Sequence, residues 1–238
     1  MANYYNRQFS NIEKKCVTVA DYAGEKEIIL HCTQLSETEF PKQSDRTKVV
    51  NDWIGFLTTH PHALTKLHFT TRMNQKLFDA ICSQENLEEL TIKWGVYPNI
   101  AQIEKLKKLK YLSLSAGASL TDISPLGNLE QLEVLVLSTV GAKDFLPLKK
   151  LTNLKKLGLH SGMDNTIKVN TLAFLTELTD LRNFHTTGFR LTNSDYSPVL
   201  ELEKLEYLSV NMPDKDWKIW NAIFAERFAN IPFTSHKL

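Results

Sequence analysis

One pattern decides the fold, and it occurs as Leu109-Lys-Tyr-Leu-Ser-Leu114, Leu132-Glu-Val-Leu-Val-Leu137 and Leu154-Lys-Lys-Leu-Gly-Leu159. Leucines two residues apart point to the same face of a β-strand, so each copy predicts a strand with one buried face. The pattern recurs seven times, and its first residues lie 23, 22, 23, 22, 27 and 24 positions apart. One such unit cannot bury its apolar edge alone, whereas stacked units share a continuous core beside a parallel sheet. The other copies begin at Leu64, Leu87, Leu181 and Leu205.

This pattern resembles the leucine-rich-repeat family over residues 60–212. The segments Leu120-Thr-Asp-Ile-Ser-Pro-Leu126 and Lys143-Asp-Phe-Leu-Pro-Leu148 are similar to the short, 22-residue, internalin-type bacterial repeats. The resemblance implies an α/β solenoid, with a curved parallel sheet of about seven repeat strands and a short 3₁₀ or irregular convex side. The asparagine that the family commonly places after each strand is absent, and glycines mark most strand exits instead. We therefore expect an irregular arc, because glycine permits varied turns.

An open solenoid needs a cap at each end of its core, and the flanking sequence predicts both caps. Residues 16–20 and 26–32 indicate a hairpin around Gly24, followed by a helix over residues 45–59 with Ser44 as its N-cap. A shorter helix is predicted over residues 74–83. At the far end, residues 214–228 are typical of an amphipathic helix that buries Trp217, Trp220, Ile223 and Phe224. We predict a single domain over residues 1–238, with caps at 1–60 and 213–238 and repeats at 61–212.

Composition excludes several function classes. Lys and Arg number 28 against 27 Asp and Glu, and this balance does not favour nucleic acid or an anionic membrane as a partner. There is no apolar run of transmembrane length, no secretory signal pattern and no C-x-x-C pair. Nucleotide-binding, hydrolase and zinc-protease motifs are also absent. We expect a cytoplasmic, bacterial protein with reduced cysteines, no cofactor, no metal and no small-molecule substrate.

In the family that the repeats resemble, the concave sheet face is the usual surface for protein partners. The residues that alternate with the buried leucines are mostly small and uncharged, with an apolar centre and flanking polar groups. Valines also favour strands for their own sake, so a purely structural role is the alternative. His160 and His185 lie diagonally on adjacent strands and could share a metal, but the spacing supplies no third ligand. The predicted partner-binding residues are Trp94, Tyr111, Val134, Val136, Lys156, His160, His185 and Tyr207.

A second candidate surface is a lysine-rich edge on the turns that lead into the strands. It is either a solvated edge or a site for an acidic protein partner. Its members come from two regions of the repeat array that are separated by one repeat, namely Lys105, Lys107, Lys108 and Lys110, and Lys149, Lys150, Lys155 and Lys156.

The function that these features favour is a non-enzymatic scaffold for protein–protein interaction. An immunity or antitoxin-type inhibitor of a toxin and a host-directed effector are narrower alternatives. An enzyme is less favoured, because no catalytic motif is present and no segment is long enough for a grafted catalytic domain.

Overall fold

The computed structural model describes residues 12–139, 141–162 and 166–237. Ten parallel strands form one continuous sheet, and their order in the sheet is their order in the chain. The seven strands predicted from the repeats are all present, and the leucine-rich-repeat solenoid is confirmed. The strands of this sheet are β1 Lys15–Cys16, β2 Glu27–Leu30, β3 Lys66–Asn74, β4 Glu89–Val96, β5 Tyr111–Ser115, β6 Val134–Ser138, β7 Lys156–His160, β9 Asn183–Thr187, β11 Tyr207–Met212 and β12 Phe233–Lys237.

Short 3₁₀ turns return the chain behind the sheet, as the 22-residue period requires. Three of these turns carry a proline in their first two positions, where its missing N–H costs no hydrogen bond. The buried leucines of the strands and the apolar residues of the turns form one core between the two layers. The turns of the repeats span Ala101–Lys105, Ser124–Asn128, Leu146–Lys150, Ala173–Glu177 and Ser197–Glu201.

A second, two-stranded parallel sheet forms where the chain leaves two adjacent strands. Strand β8 (Ile167–Val169) pairs with β10 (Phe189–Leu191). Strand β8 belongs to the longest repeat, which has 27 residues. Gly188 precedes β10 with a φ of +62°, a conformation that favours glycine.

The predicted N-terminal hairpin is wrong. Strands β1 and β2 run parallel, because a 3₁₀ turn (Val19–Asp21) carries the chain behind the sheet between them. The Asp21 carboxylate holds this turn by accepting the backbone N–H groups of Val17 and Thr18 at 2.9 and 2.7 Å. The N-terminal unit is therefore a further, degenerate copy of the repeat.

Two helices complete the N-terminal end. Helix α1 (Gln43–Thr59) begins two residues before the predicted position, and Lys42 is its N-cap in place of Ser44. Trp53 of α1 is fully buried and donates its indole N–H to the Val17 carbonyl at 2.8 Å. Helix α2 (Gln75–Ile81) lies within the predicted range and is capped by the Asn74 side chain.

The C-terminal cap has one more element than predicted. Helix α3 (Asp214–Arg227) is followed by β12, which extends the sheet beyond β11. Phe224 is buried, and Trp217 and Trp220 pack against the core with part of their surface exposed. Ile223 is 38% exposed, so its predicted inward position is wrong. Helix α3 buries a narrower stripe, because β12 already covers part of the last strand.

Candidate partner-binding face

The concave face of the sheet is formed by the side chains that alternate with the buried ones. Strand register aligns these side chains into rows across the sheet. The first row runs through Glu27, Lys66, Glu89, Tyr111, Val134, Lys156, Asn183 and Tyr207. The middle row runs through Ile29, His68, Thr91, Ser113, Val136, Gly158, His185, Ser209 and Thr234.

At the N-terminal end of the first row, charges compensate one another. The Lys66 ammonium lies 3.2 Å from a Glu27 carboxylate oxygen and 3.3 Å from one of Glu89. Desolvation works against the charged amine, but the two carboxylates outweigh it and raise the pKa of Lys66. This end of the face therefore carries an ion-pair network with one carboxylate in excess of the ammonium.

Tyr111 lies on the concave face, as predicted, but it is only 5% exposed. Ile12, which is 7% exposed, packs with it in an apolar cluster separate from the main core. Ile29 and Val134 pack against this cluster. Burial raises the pKa of the Tyr111 phenol to about 12. Part of the predicted apolar centre is thus buried against Ile12.

His160 and His185 come together as predicted. They stand on neighbouring strands with ring centroids 5.0 Å apart. Burial, reinforced by His185, lowers the pKa of His160 to about 4, and burial together with His236 lowers the pKa of His185. Both imidazoles are therefore neutral at pH 7 and add no charge to this part of the face. No group of three or more histidine, cysteine or acidic side chains that could hold a metal occurs among the described residues.

The neighbouring positions on β9 and β11 are more buried than their outward orientation predicts. Asn183 is 4% exposed and Ser209 is 1% exposed. The Asn183 Oδ1 atom is buried and accepts no hydrogen bond from the described residues. Lys156 and Tyr207, the predicted residues on either side of Asn183, are partly buried.

Trp94 lies apart from the other predicted residues. The pairing of β3 with β4 changes register between Phe69 and Arg72. Trp94 lies beyond this change, near the end of β4, and its side chain is 41% exposed. The Arg72 guanidinium stands over its ring at 5.6 Å from the centroid. Val136 remains at the middle of the face, half-buried.

Three lysines of the lysine-rich edge contact side chains of the preceding repeat. Lys110 pairs with Glu88 at 2.9 Å, Lys155 pairs with Glu133 at 2.8 Å, and Lys108 donates to Asn86 at 2.7 Å. Residues that directly precede the strands supply these ion pairs, each formed between neighbouring repeats. We call this set the charge ladder, and its members are Glu88, Lys110, Glu133, Lys155, Arg182 and Glu206.

Sequence reasoning missed the part that Ile12 plays in this face, because Ile12 lies outside the repeat and carries no periodic signal. It also missed the burial of Asn183. The buried thiols of Cys16, Cys32 and Cys82 are free, and burial raises the pKa of Cys32 to about 12.

Comparison with solved structures supports the fold class that the sheet defines. The chain superimposes on an internalin C2 from Listeria monocytogenes with a TM-score of 0.53 at 22% identity, over 74% of this chain and 72% of that one. It matches a leucine-rich-repeat protein of Leptospira interrogans with a TM-score of 0.52 at 20% identity, over 72% of this chain and 46% of that one. A second Listeria internalin, inlF, gives a TM-score of 0.51 at 19% identity, over 82% of this chain and 56% of that one.

The chain therefore has an internalin-like leucine-rich-repeat fold. It spans about half the length of the last two of these proteins. No protein-family model and no curated protein matches the sequence. Within the described residues, none of the helices combines the length and the apolar character that crossing a membrane demands.

Proposed function

We propose that this protein is a non-enzymatic scaffold that binds a protein partner through the concave face of its sheet. The observation that carries the proposal is the open sheet itself. Helices α1 and α2 and the 3₁₀ turns pack into the main core behind the sheet, whereas the described apolar cluster on the concave side is small and consists of Ile12 and Tyr111 with Ile29 and Val134 against them. Repeat folds with such an extended concave surface are typical of protein-binding proteins.

The chemistry of this face suits a protein surface better than a charged ligand. Lys66 offsets one of the two carboxylate charges at one end, and the two neutral histidines lie in the other half. Between them lie Val134 and Val136, both half-buried and surrounded by polar side chains. An apolar centre with a polar rim is the arrangement that carries most of the binding energy in protein interfaces.

The test is affinity capture from native lysate followed by mass spectrometry, with wild-type protein and Val136→Asp as baits. The introduced carboxylate places an uncompensated charge at the middle of the face, so the partner recovered by the wild type is expected to be lost.

Ile219→Asp is the matched control. Ile219 is 59% exposed and belongs to α3, which is not part of the sheet. It is expected to recover the partner at wild-type levels. Equal recovery by Val136→Asp and by the wild type would contradict binding through this face. Circular dichroism of each bait verifies that the sheet is intact.

A further inference from the structure

A groove separate from the concave face runs along the edge where the chain enters the strands. Three segments line it: the end of α1 with the residues after it, the residues after α2, and the end of the 3₁₀ turn Ala101–Lys105 with the residues after it. The groove has a volume of about 790 Å³. The Glu85 N–H joins the first two segments by donating to the Pro61 carbonyl at 2.7 Å. None of the described lining residues belongs to the rows of the concave face.

This groove carries an excess of positive charge. Lys105, Lys107 and Lys108 line it, and all three side chains are exposed. The ion pairs between described residues involve none of these ammonium groups, and Lys108 donates instead to the neutral Asn86 side chain at 2.7 Å. Of the described lining residues, Glu85 alone is acidic. Three ammonium groups thus share the groove with one carboxylate.

The lined surface continues past Lys108 towards β6. Lys107 and Lys108 also line a smaller depression of about 310 Å³ together with Gln131. Glu88 offsets the charge of Lys110 there at 2.9 Å, so the excess charge stays with the first groove. From β3 to β6 there are three strand spacings, or about 14 Å at roughly 4.8 Å each. About four residues of extended chain cover this distance.

The lining suits an extended peptide better than a nucleic acid. Its ammonium groups bind carboxylates, whereas the Glu85 carboxylate accepts N–H groups, which a peptide backbone supplies and a phosphate backbone does not. Glu85 and Glu88 also repel the closely spaced phosphates of a nucleic acid. A peptide carries negative charge only at its acidic side chains, so it can pair with the lysines and avoid both glutamates.

We propose that this groove binds an extended, acidic segment of a protein partner, with Asp or Glu side chains of that segment on Lys105, Lys107 and Lys108. Charge complementarity carries the inference, because three ammonium groups without a carboxylate partner among the described residues line one groove. The site lies apart from the concave face, so it stands whether or not that face binds a partner.

Fluorescence anisotropy of a labelled (Asp-Glu)₃ peptide, titrated with the full chain at low salt, tests the site. Saturable binding is expected, and its affinity is expected to fall as the salt concentration rises, because the contacts are charged and exposed. The uncharged (Asn-Gln)₃ peptide is expected not to bind, and an oligothymidylate of the same length is expected to bind more weakly than the acidic peptide. No binding of the acidic peptide, equal binding of the two peptides, or tighter binding of the oligothymidylate would overturn the proposal.

Two triple variants locate the binding. The groove variant is Lys105→Gln, Lys107→Gln, Lys108→Gln. It is expected to weaken binding of the acidic peptide about tenfold, since three exposed ion pairs are lost. The control variant removes the same charge from exposed lysines outside the groove and is Lys143→Gln, Lys149→Gln, Lys150→Gln. It is expected to bind nearly as well as the wild type, and equal weakening by both variants would contradict the site.

Glu85→Gln provides a gain of binding, which a general loss of structure does not imitate. It removes the acidic charge of the groove and keeps an acceptor oxygen, so the acidic peptide is expected to bind severalfold more tightly. Glu226→Gln on α3 changes the net charge equally at an exposed position and is expected to leave the affinity unchanged. Unchanged affinity of Glu85→Gln would place the peptide outside the groove. The probe is a synthetic peptide, so the outcome is independent of the capture experiment.

Discussion

At the scale of single residues, Gly95 shows how closely the chain segments approach where β4 ends. A Cβ atom added there would meet the Met73 Cβ atom at 2.5 Å and the Met73 carbonyl oxygen at 2.7 Å. The sequence marks this glycine as a strand exit, but only the structure shows that its missing side chain makes room for β3.

Gly95→Ala is expected to lower the free energy of unfolding by about 1–3 kcal/mol, since the neighbouring backbone has to shift. Gly55→Ala is the matched control, because an added Cβ in α1 meets nothing within 4 Å and alanine favours a helix. Urea denaturation followed by circular dichroism measures both. A Gly95→Ala protein as stable as the Gly55→Ala protein would contradict the close approach.

His160 makes stability depend on pH. Its pKa is lowered to about 4 in the folded protein, whereas an unfolded histidine titrates near 6.5. The unfolded chain therefore binds the proton more readily, and the stabilisation that is complete above pH 6.5 is lost as the pH falls towards 4. At about 1.4 kcal/mol per pH unit, the loss reaches at most about 3 kcal/mol.

The expected result is that His160→Gln loses less stability than the wild type between pH 6.5 and pH 4. Chemical denaturation across this range provides the measurement, and His62→Gln on the surface is expected to follow the wild type. Parallel curves for the wild type and His160→Gln would show that the imidazole is not held neutral by burial.

At the scale of secondary-structure elements, one buried side chain joins the N-terminal helix to the first repeat. The Gln84 amide donates to the carbonyls of Leu57 and His60 at 2.7 and 3.0 Å, and its oxygen accepts the Leu64 N–H at 3.1 Å. Gln84 is fully buried. Its side chain therefore provides hydrogen bonds inside the core to a carbonyl at the end of α1 and to an N–H group just before β3.

Gln84→Leu is expected to cost about 2–6 kcal/mol, because it removes the partner of the Leu57 carbonyl and of the Leu64 N–H at about 1–3 kcal/mol each, whereas the His60 carbonyl still accepts the Ala63 N–H. Gln131→Leu changes the same side chain at an exposed position and is expected to be nearly neutral. Thermal denaturation compares the two variants. Unchanged melting of Gln84→Leu would mean that the helix end is satisfied in another way.

The N-terminal unit shows why an element can be predicted correctly and its pairing wrongly. Residues 26–32 contain a strand, and Gly24 has the positive φ of +103° that a turn favours. Both features fit a hairpin. The 3₁₀ turn held by Asp21 and the contact of Trp53 with Val17 instead carry the chain behind the sheet. Strand direction depended on this packing, which is not encoded in a local pattern.

At the scale of the whole molecule, the near-zero net charge reflects ion pairs between repeats. The charge ladder places Lys110 opposite Glu88 and Lys155 opposite Glu133, all on partly or fully exposed side chains. Two lysines of the lysine-rich edge are thus neutralised by glutamates of the preceding repeat. Surface ion pairs of this kind weaken as the salt concentration rises.

The double variant Lys110→Glu, Lys155→Glu is expected to melt at a lower temperature than the wild type in low salt, because like charges then face each other. High salt is expected to reduce the difference. Lys107→Glu, Lys149→Glu gives the same net charge outside the charge ladder and is expected to change the melting temperature less. Equal destabilisation by both double variants would assign the effect to net charge alone.

The sequence by itself determined the repeat architecture. Leucines at a period of 22 to 27 residues specified seven parallel strands, and strand alternation specified which residues face the concave side, because both depend on local geometry. The division of residues 1–238 into one domain with two caps stays a prediction.

Only the tertiary structure decided what covers the concave face and how the ends of the sheet are closed. Ile12 packs on Tyr111, β12 extends the sheet past the C-terminal helix, and two histidines from neighbouring strands become neutral by burial. Each of these features joins residues far apart in the chain. Their contacts depend on packing and desolvation, which no periodic pattern in the sequence specifies.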